Sequence, residues 1–217
     1  MAADATTLRF QVSETARLLE ERGLNRGASG NVSARFGGGF LITPSGVPYT
    51  ALRPEQIVFV DMEGGWEGPL KPSSEWRMHR DIYRTRREAG AVVHTHSDNA
   101  AALACMEEPL PAFHYMVAAA GGKVIDCAAY ATFGTGELSR NMLKGLGPRR
   151  ATLLSHHGMI CYGKTLADAS SLAEEVEGLA RQYLLARSAG DVKILPDEEM
   201  TRILERFRTY GQTREKE

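Results

Sequence analysis

The chain has 217 residues, 43% of them hydrophobic and 24% charged, which is typical of a globular protein with one large, well-packed core. Its formal net charge of -1 provides no overall attraction to nucleic acid or to a membrane surface, so neither is an expected partner. The N-terminus lacks the features of a signal peptide and no apolar stretch is long enough to span a bilayer, so we expect a cytoplasmic protein.

The three cysteines do not form a pattern typical of disulfides or of a metal site. Cys105, Cys127 and Cys161 lie far apart in sequence and include no CxxC pair. This spacing favours free thiols in a reducing compartment. We expect each cysteine to be packed as a small hydrophobic residue.

The first 60 residues predict a helix followed by strands. Apolar residues recur at helical spacing from Leu8 to Leu19, and Gly23 ends the pattern. The three consecutive glycines at 37–39 are typical of a hairpin turn. The predicted elements are a helix over residues 6–23, a strand-like stretch within 26–35, and strands over 40–43 and 57–60.

The segment 72–75, Pro-Ser-Ser-Glu, predicts the start of a second long helix, with a serine capping its first turn. The hydroxyls of Ser73 and Ser74, beside unpaired backbone N–H groups, also suit an anion site, although capping alone is the simpler interpretation of the triplet. Glu75 is favoured in a first turn by the helix dipole. His79 shares its helix face, and we interpret it as a packing or supporting residue.

Two histidine clusters indicate a metal site. His94 and His96 lie two residues apart in an apolar, partly β-branched stretch, so both side chains project from one face of a strand and can converge on one cation. The alternative, two core histidines satisfied by hydrogen bonds, is less favoured by this spacing. Zinc is commonly held by imidazoles and a carboxylate, and either His156 or His157 is the third candidate. If the chain is extended there, only one of the two reaches the metal and the other makes a structural hydrogen bond.

Two turns contain small residues, hydroxyls and N–H donors that suit a phosphate. The segment 27–31 is glycine-rich, but it matches neither a P-loop nor a dinucleotide-binding fingerprint. The segment 43–46, Thr-Pro-Ser-Gly, has the same kinds of donor. Taken alone, neither turn is specific.

The second half of the chain continues the alternation of strands and helices. A stripe of apolar residues from Ala169 to Leu184 follows the 3.6-residue period and predicts a long packing helix, not a cofactor motif. No linker or internal repeat interrupts the chain, which predicts one α/β domain with helices covering a sheet. The predicted elements are helices over 72–87, 99–106, 137–146, 166–188 and 197–210, strands over 91–96, 152–155 and 159–162, loop and strand pieces over 109–135, and a frayed tail over 212–217.

These segments together resemble the class II aldolase and adducin family and, within it, most closely the aldolases acting on L-fuculose phosphate. The resemblance runs in order through nearly the whole chain, with a short mismatch around 188–195. The matching segments are RGASGNVS (26–33), LITPSG (41–46), PSSEWR (72–77), VHTH (93–96), HYM (114–116), AAAGG (118–122), YATFGT (130–135), LSHHG (154–158) and RFRTYG (206–211).

The resemblance implies a single domain over residues 1–217, with three α/β/α layers around a largely antiparallel sheet. It implies a homotetramer with active sites between subunits and one Zn²⁺ per subunit, or another divalent metal in its place. Glu75 would leave the metal when substrate binds and act as the acid/base. Tyr115, contributed by a neighbouring subunit, would serve the second proton transfer. The implied metal ligands are Glu75, His94, His96 and His157.

The resemblance also implies where a sugar phosphate binds. Phe133 and Tyr210 would shape the end of the site that receives the aldehyde. The phosphate would be held by Gly30, Asn31, Ser45, Gly46, Ser73 and Ser74.

The implied reaction is the reversible cleavage of a ketose 1-phosphate to dihydroxyacetone phosphate and an aldehyde through a metal-stabilised enediolate. Candidate substrates are L-fuculose 1-phosphate, 5-deoxyribulose 1-phosphate and 5-methylthioribulose 1-phosphate. A methylthioribulose-phosphate dehydratase and a ribulose-phosphate 4-epimerase are alternatives for the same site, but the epimerase has aspartate in place of Glu75. A non-catalytic, adducin-like interaction domain is disfavoured because every type of metal ligand is present.

Overall fold

The computed structural model describes residues 4–208, which form one eight-stranded sheet with helices packed on its two faces. None of the described helices is both long and apolar enough to cross a membrane. The helices are α1 (Ala5–Glu21), α2 (Trp76–Thr85), α3 (Asp98–Ala104), α4 (Gly136–Leu146), α5 (Leu166–Ala189) and α6 (Asp197–Phe207). The strands are β1 (Asn31–Phe36), β2 (Gly39–Ile42), β3 (Val58–Asp61), β4 (Trp66–Glu67), β5 (Ala91–Thr95), β6 (Cys127–Ala128), β7 (Ala151–Leu154) and β8 (Gly158–Gly163).

The sheet is largely antiparallel, as predicted. Its strand order is β4-β3-β2-β1-β5-β8-β7-β6, and only β6 and β7 pair in parallel. The centre of the sheet therefore joins three segments that are distant in sequence, because β5 lies between β1 and β8. In this register Asn31 pairs with His94, and His94 pairs with Ile160.

Alternate residues of the central strands enter different hydrophobic cores, which produces the three-layer arrangement. Val93 packs in a core formed with α1, α3, α5 and α6, whereas Val92 packs in a core formed with α2 and α4. Because side chains alternate along a strand, His94 lies on the same face as Val92. This places it on the side of the sheet that α2 covers.

Several predicted elements begin or end elsewhere. The helix expected over 72–87 begins at Trp76, with Glu75 as its N-cap residue and without a side-chain capping bond. The prediction that a serine caps this helix is therefore wrong. The two-residue strand β4 was not predicted, because it is too short to show a sequence pattern. The equally short β6 lies within residues 109–135, where loop and strand pieces were expected. The expected end of the last helix at 210 and the frayed tail at 212–217 lie outside the described residues.

The three cysteines are free thiols in different environments. Cys161 is buried on β8 and Cys127 is partly buried, as expected for small packed residues. Cys105, which follows α3, is exposed, so the packing prediction is wrong for this residue.

Candidate metal centre

Three separate segments bring a carboxylate and three imidazoles together at the ends of two central strands. His94 is on β5 and His96 follows the end of that strand. His157 directly precedes β8, the neighbour of β5. Glu75 stands at the N-terminus of α2, on the sheet face to which His94 points. The fold therefore brings Glu75 close to the histidines, which the spacing in the sequence does not reveal.

The four side chains form a compact group of potential ligand atoms, all within 4.8 Å of one another. Nε2 of His94 lies 2.9 Å from Nε2 of His96 and 3.2 Å from Oε2 of Glu75. Nε2 of His157 lies 3.1 Å from Oε1 of Glu75. The three ring centroids are 4.7–4.8 Å apart, with the ring planes crossing at 70–80°. The rings therefore converge with their nitrogens inward and do not stack face to face.

This arrangement fits a metal ion held by nitrogen and oxygen. Ligands bound tetrahedrally at about 2.1 Å are separated by about 3.4 Å, within the range of the observed separations. Oε1 of Glu75 is buried and makes no hydrogen bond among the described residues, because the 3.1 Å approach of Nε2 of His157 lacks hydrogen-bond geometry. Nδ1 of His94 is 2.8 Å from the carbonyl oxygen of Met159, to which it can donate its proton. When the ring is neutral, that bond leaves Nε2 unprotonated and directed at the centre, as in many metal sites.

The charges within the group also suit a cation. Burial would raise the pKa of the Glu75 carboxyl, but attraction to His94 and His157 outweighs it and holds that pKa far below its usual range. Burial lowers the pKa of His94, but attraction to Glu75 raises it by more, so the pKa of His94 lies above its usual value. Burial, with His94 and His157 nearby, lowers the pKa of His96 to about 3. At neutral pH Glu75 is thus ionised and His96 is neutral, which are the states that bind metal.

A cavity of about 320 Å³ opens beside this group. Glu75, His96 and His157 line it, together with Phe133, whose side chain is exposed. The structure thus brings the glycine-rich turn, the Thr-Pro-Ser-Gly turn and the two serines before α2 to the same place. All six residues expected at the phosphate line the cavity: Gly30, Asn31, Ser45, Gly46, Ser73 and Ser74.

Gly30 and Gly46 have backbone conformations that favour glycine, with φ of +70° and +72°. A Cβ atom on Gly30 would lie 2.3 Å from Oδ1 of Asn25 and 2.6 Å from the carbonyl oxygen of His94. Oδ1 of Asn25 in turn accepts a hydrogen bond from the backbone N–H of His96 at 3.2 Å. The turn before β1 is therefore packed directly against the strand that carries the histidines.

Only one member of the His156-His157 pair faces Glu75. His156 has a left-handed backbone with φ of +52°, and its half-exposed side chain has Nε2 3.4 Å from Oε1 of Glu107. The two side chains diverge because His156 sits in a turn; the extended chain assumed in the sequence argument is absent. His156 does line the cavity, as do Ala131 and Tyr130.

Sequence reasoning did not identify Asn25, Tyr130 and Ala131 as site residues. Asn25 precedes the glycine-rich turn and Tyr130 and Ala131 follow β6, but no local pattern relates these positions to the histidines. Their placement depends on packing between distant segments, and only the match of segment 130–135 to the family pattern offered a signal for the latter two.

Tyr115 lies on another surface of the same chain. It begins a short 3-10 helix, Tyr115–Ala120, and its side chain is about half exposed. It lines a separate cavity with Phe113 and residues of α6, and it is not among the described residues around Glu75. Tyr210 lies outside the described residues.

Comparisons with known proteins find a family model, named relatives and solved structures that are similar to this chain. The family model described as "Class II Aldolase and Adducin N-terminal domain" matches residues 10–184. A Rhodospirillum rubrum protein named 5-methylthioribulose-1-phosphate/5-deoxyribulose-1-phosphate aldolase is 54% identical over 97% of this chain and 96% of its own length. The L-fuculose phosphate aldolase of Escherichia coli K12 is 48% identical over 93% of this chain and 94% of its own.

A solved structure of an L-fuculose 1-phosphate aldolase superposes with a TM-score of 0.91 and 40% identity. The superposition covers 96% of this chain and 98% of that one. The likeness thus extends to the whole sheet and the helices around it.

Proposed function

Because this chain belongs to the class II aldolase and adducin family, we propose that it is a metal-dependent aldolase that reversibly cleaves a ketose 1-phosphate to dihydroxyacetone phosphate and an aldehyde. The observation that carries the proposal is the convergence of Glu75 with three imidazoles beside a cavity lined by glycine turns and serine hydroxyls. The names of the relatives support the same class of reaction and a sugar phosphate substrate.

The proposed metal is Zn²⁺, held by Glu75 and by Nε2 of His94, His96 and His157. Imidazole nitrogens with one carboxylate are a common zinc ligand set. Bound there, the cation would supply Lewis-acid stabilisation of the negative charge that develops as the C3–C4 bond breaks.

The phosphate end of the substrate is assigned to the residues of the glycine turns and to the serines before α2. Gly30 and Gly46 have positive φ, a backbone conformation found in turns whose N–H groups bind anions. The hydroxyls of Ser45, Ser73 and Ser74 line the same cavity and add donors. Phosphate binding away from the reacting carbons orients the substrate and supplies energy for its placement.

Glu75 is assigned the proton transfer at C3. Beside the histidines its carboxylate is a weak base, because they hold its pKa low. If the carboxylate turns toward the substrate, it loses that attraction and becomes a stronger base inside a buried pocket. In the synthetic direction it then removes a proton from C3 of dihydroxyacetone phosphate, and in cleavage it returns the proton.

The proton at the C4 oxygen is assigned to Tyr115 of a neighbouring subunit in a homotetramer. In one chain the exposed Tyr115 does not line the cavity around Glu75, which supports a site that a second subunit completes. Phe133 supplies an aromatic wall near Glu75 that suits the methyl or thioether tail of the aldehyde.

A substrate panel tests the proposal. Zinc-loaded protein is incubated with 5-methylthioribulose 1-phosphate, 5-deoxyribulose 1-phosphate and L-fuculose 1-phosphate, and dihydroxyacetone phosphate is measured with a coupled reductase. We expect cleavage of at least one sugar and a loss of turnover in Glu75→Gln. A dehydrated diketone phosphate as the product would identify a dehydratase instead, and an absence of any turnover would refute the proposal.

A further inference from the structure

A line of buried hydrogen bonds runs from Glu75 into the core beneath α2. We infer that its central member, His79, is a positioning residue that sets the orientation of the Glu75 carboxylate. The inference deepens the proposed function, since it rests on Glu75 as the group that moves the proton. His79 does not touch the cavity; it acts through Asn31.

The first part of the line joins Glu75 to His79. Nδ2 of Asn31 lies 2.9 Å from Oε2 of Glu75 and 2.9 Å from Oγ of Ser73. Oδ1 of the same amide lies 2.5 Å from Nε2 of His79. Asn31 and His79 are both buried, at 2% and 0% exposure. Little water can therefore reach the bond between Asn31 and His79.

The second part joins His79 to the core. Nδ1 of His79 lies 2.7 Å from Oγ of Ser33, and that oxygen lies 2.8 Å from the hydroxyl of Tyr83. Ser33 and Tyr83 are also buried. The ring of His79 thus has one defined partner at each nitrogen.

The charge on Glu75 determines the direction of every bond in the line. An ionised carboxylate only accepts hydrogen bonds, so Asn31 must present its NH₂ group to Glu75. Its carbonyl oxygen then faces His79 and requires Nε2 to carry the ring proton. Burial lowers the pKa of His79 to about 3, which leaves the ring a single proton at neutral pH.

With the proton on Nε2, Nδ1 of His79 is an acceptor. The hydroxyl of Ser33 therefore donates to Nδ1, and the hydroxyl of Tyr83 donates to Ser33. The opposite tautomer would reverse the amide of Asn31 and place two acceptor oxygens 2.9 Å apart at Glu75. Only one arrangement of protons satisfies all the groups, and in it Glu75 has a fixed donor on Oε2.

Nitrogen-15 NMR of the histidine side chains tests the proton arrangement without reference to activity. In metal-loaded wild-type protein at neutral pH, we expect the ring of His79 to be neutral with its proton on Nε2. A proton on Nδ1, or a doubly protonated ring, would overturn the inference. Because this measurement needs no substrate, it holds whether or not the protein proves to be an aldolase.

Two substitutions at His79 separate positioning from a structural role. Glutamine extends an amide to about the place of Nε2 and can still donate to Asn31, whereas asparagine reaches only about as far as Nδ1. Supporting residues around metal ligands are typically worth 10–100-fold in activity or affinity. We expect His79→Asn to lower kcat by about that factor, with His79→Gln recovering most of the loss.

Ile82→Val is the matched control, because Ile82 is fully buried on the same helix and makes no polar contact with the site. It should lower thermal stability without changing kcat or KM. Equal kcat values for folded His79→Asn and wild type would overturn the inference, as would equal losses in the two His79 variants. If wild type cleaves no sugar phosphate, the proposed function fails while the NMR result still decides the proton arrangement.

Discussion

Nε2 of His94 lies only 2.9 Å from Nε2 of His96. Two unprotonated ring nitrogens repel each other at that distance, so a proton or a cation must lie between them. Glu75 raises the pKa of His94, whereas burial and the two other histidines lower that of His96. In metal-free protein the proton therefore belongs to His94, and a bound metal takes its place.

Substitution of His96 tests this interpretation of the cluster. We expect His96→Ala to lower metal occupancy well below one ion per chain, because it removes one of four converging ligands. The neighbouring variant His156→Ala is the control, since His156 points toward Glu107 and not toward the centre. Elemental analysis after dialysis against limiting chelator measures both. Full metal content in His96→Ala would show that this ring is not a ligand.

Glu75→Gln separates metal binding from proton transfer. Three imidazoles remain, so we expect the variant to keep most of its metal while kcat falls by about 10²–10⁴-fold, as is typical of a lost general acid or base. Glu63→Gln, a change at an exposed glutamate, should leave both unchanged. Steady-state cleavage and metal content are measured on the same samples. Unaltered turnover in a fully metallated variant would reject the role of Glu75.

Gly30→Ala tests whether the glycine turn must contact β5. Gly27 and Gly30 both have positive φ, but a Cβ on Gly27 meets no atom within 4 Å, whereas one on Gly30 collides with Asn25 and His94. Gly27→Ala should cost about 1 kcal/mol in free energy of unfolding from backbone strain. Gly30→Ala should cost about 1–3 kcal/mol more from overpacking. Urea denaturation compares them, and equal costs would contradict the contact.

The pH dependence of stability follows from the lowered pKa of His79. Its folded pKa of about 3 lies below the ordinary 6.5, so between these values the unfolded chain binds a proton that the folded chain does not. The unfolding free energy should therefore fall as pH drops from 6.5 toward 3, by up to about 1.4 kcal/mol per pH unit from this group. Above pH 6.5 this contribution is constant.

His79→Gln isolates that contribution in metal-free protein. Glu75 and His94 titrate in both proteins, so they largely cancel in the difference between the two stability curves. The wild type should lose stability faster than the variant as the pH falls below 6.5. Parallel curves in urea titrations would show that His79 is not held neutral by the fold.

The thiols should react in the order of their exposure. Cys105 is exposed, whereas burial raises the pKa of Cys127 to about 11 and that of Cys161 to about 12. At pH 8, a group with a pKa near 11 is thiolate in only about one part in 10³. We expect one fast thiol with a disulfide reagent, absent from Cys105→Ser. Rapid labelling of Cys161 in folded protein would contradict its burial.

The sequence predicted those features that depend on local periodicity. The apolar repeat of α5 and the same-face spacing of His94 and His96 are properties of a few neighbouring residues, and both are present in the structure. The proximity of Glu75 was implied only by the family resemblance, because it arises from the packing of α2 against the sheet. No local pattern encodes that distance.

The start of α2 shows why local rules failed near the site. Serine is a typical capping residue, but the hydroxyl of Ser73 accepts hydrogen bonds from the side-chain amide of Asn31 and from the backbone N–H of Glu75. The hydroxyl of Ser73 thus has one tertiary partner and one local partner, and the helix begins at Trp76. His156 likewise adopts a strained turn conformation, and no local sequence pattern predicts it. Both departures lie beside the cavity, where function competes with regular structure.

The placement of β5 between β1 and β8 has a consequence for biosynthesis. The candidate ligands extend from residue 75 to residue 157, and the last of them arrives only when β8 docks against β5. A nascent chain that still lacks β8 has neither the imidazole of the third histidine nor the strand that positions it. The four-ligand site is therefore complete only after the central sheet has formed, and a truncated polypeptide without β8 would hold a metal ion less tightly.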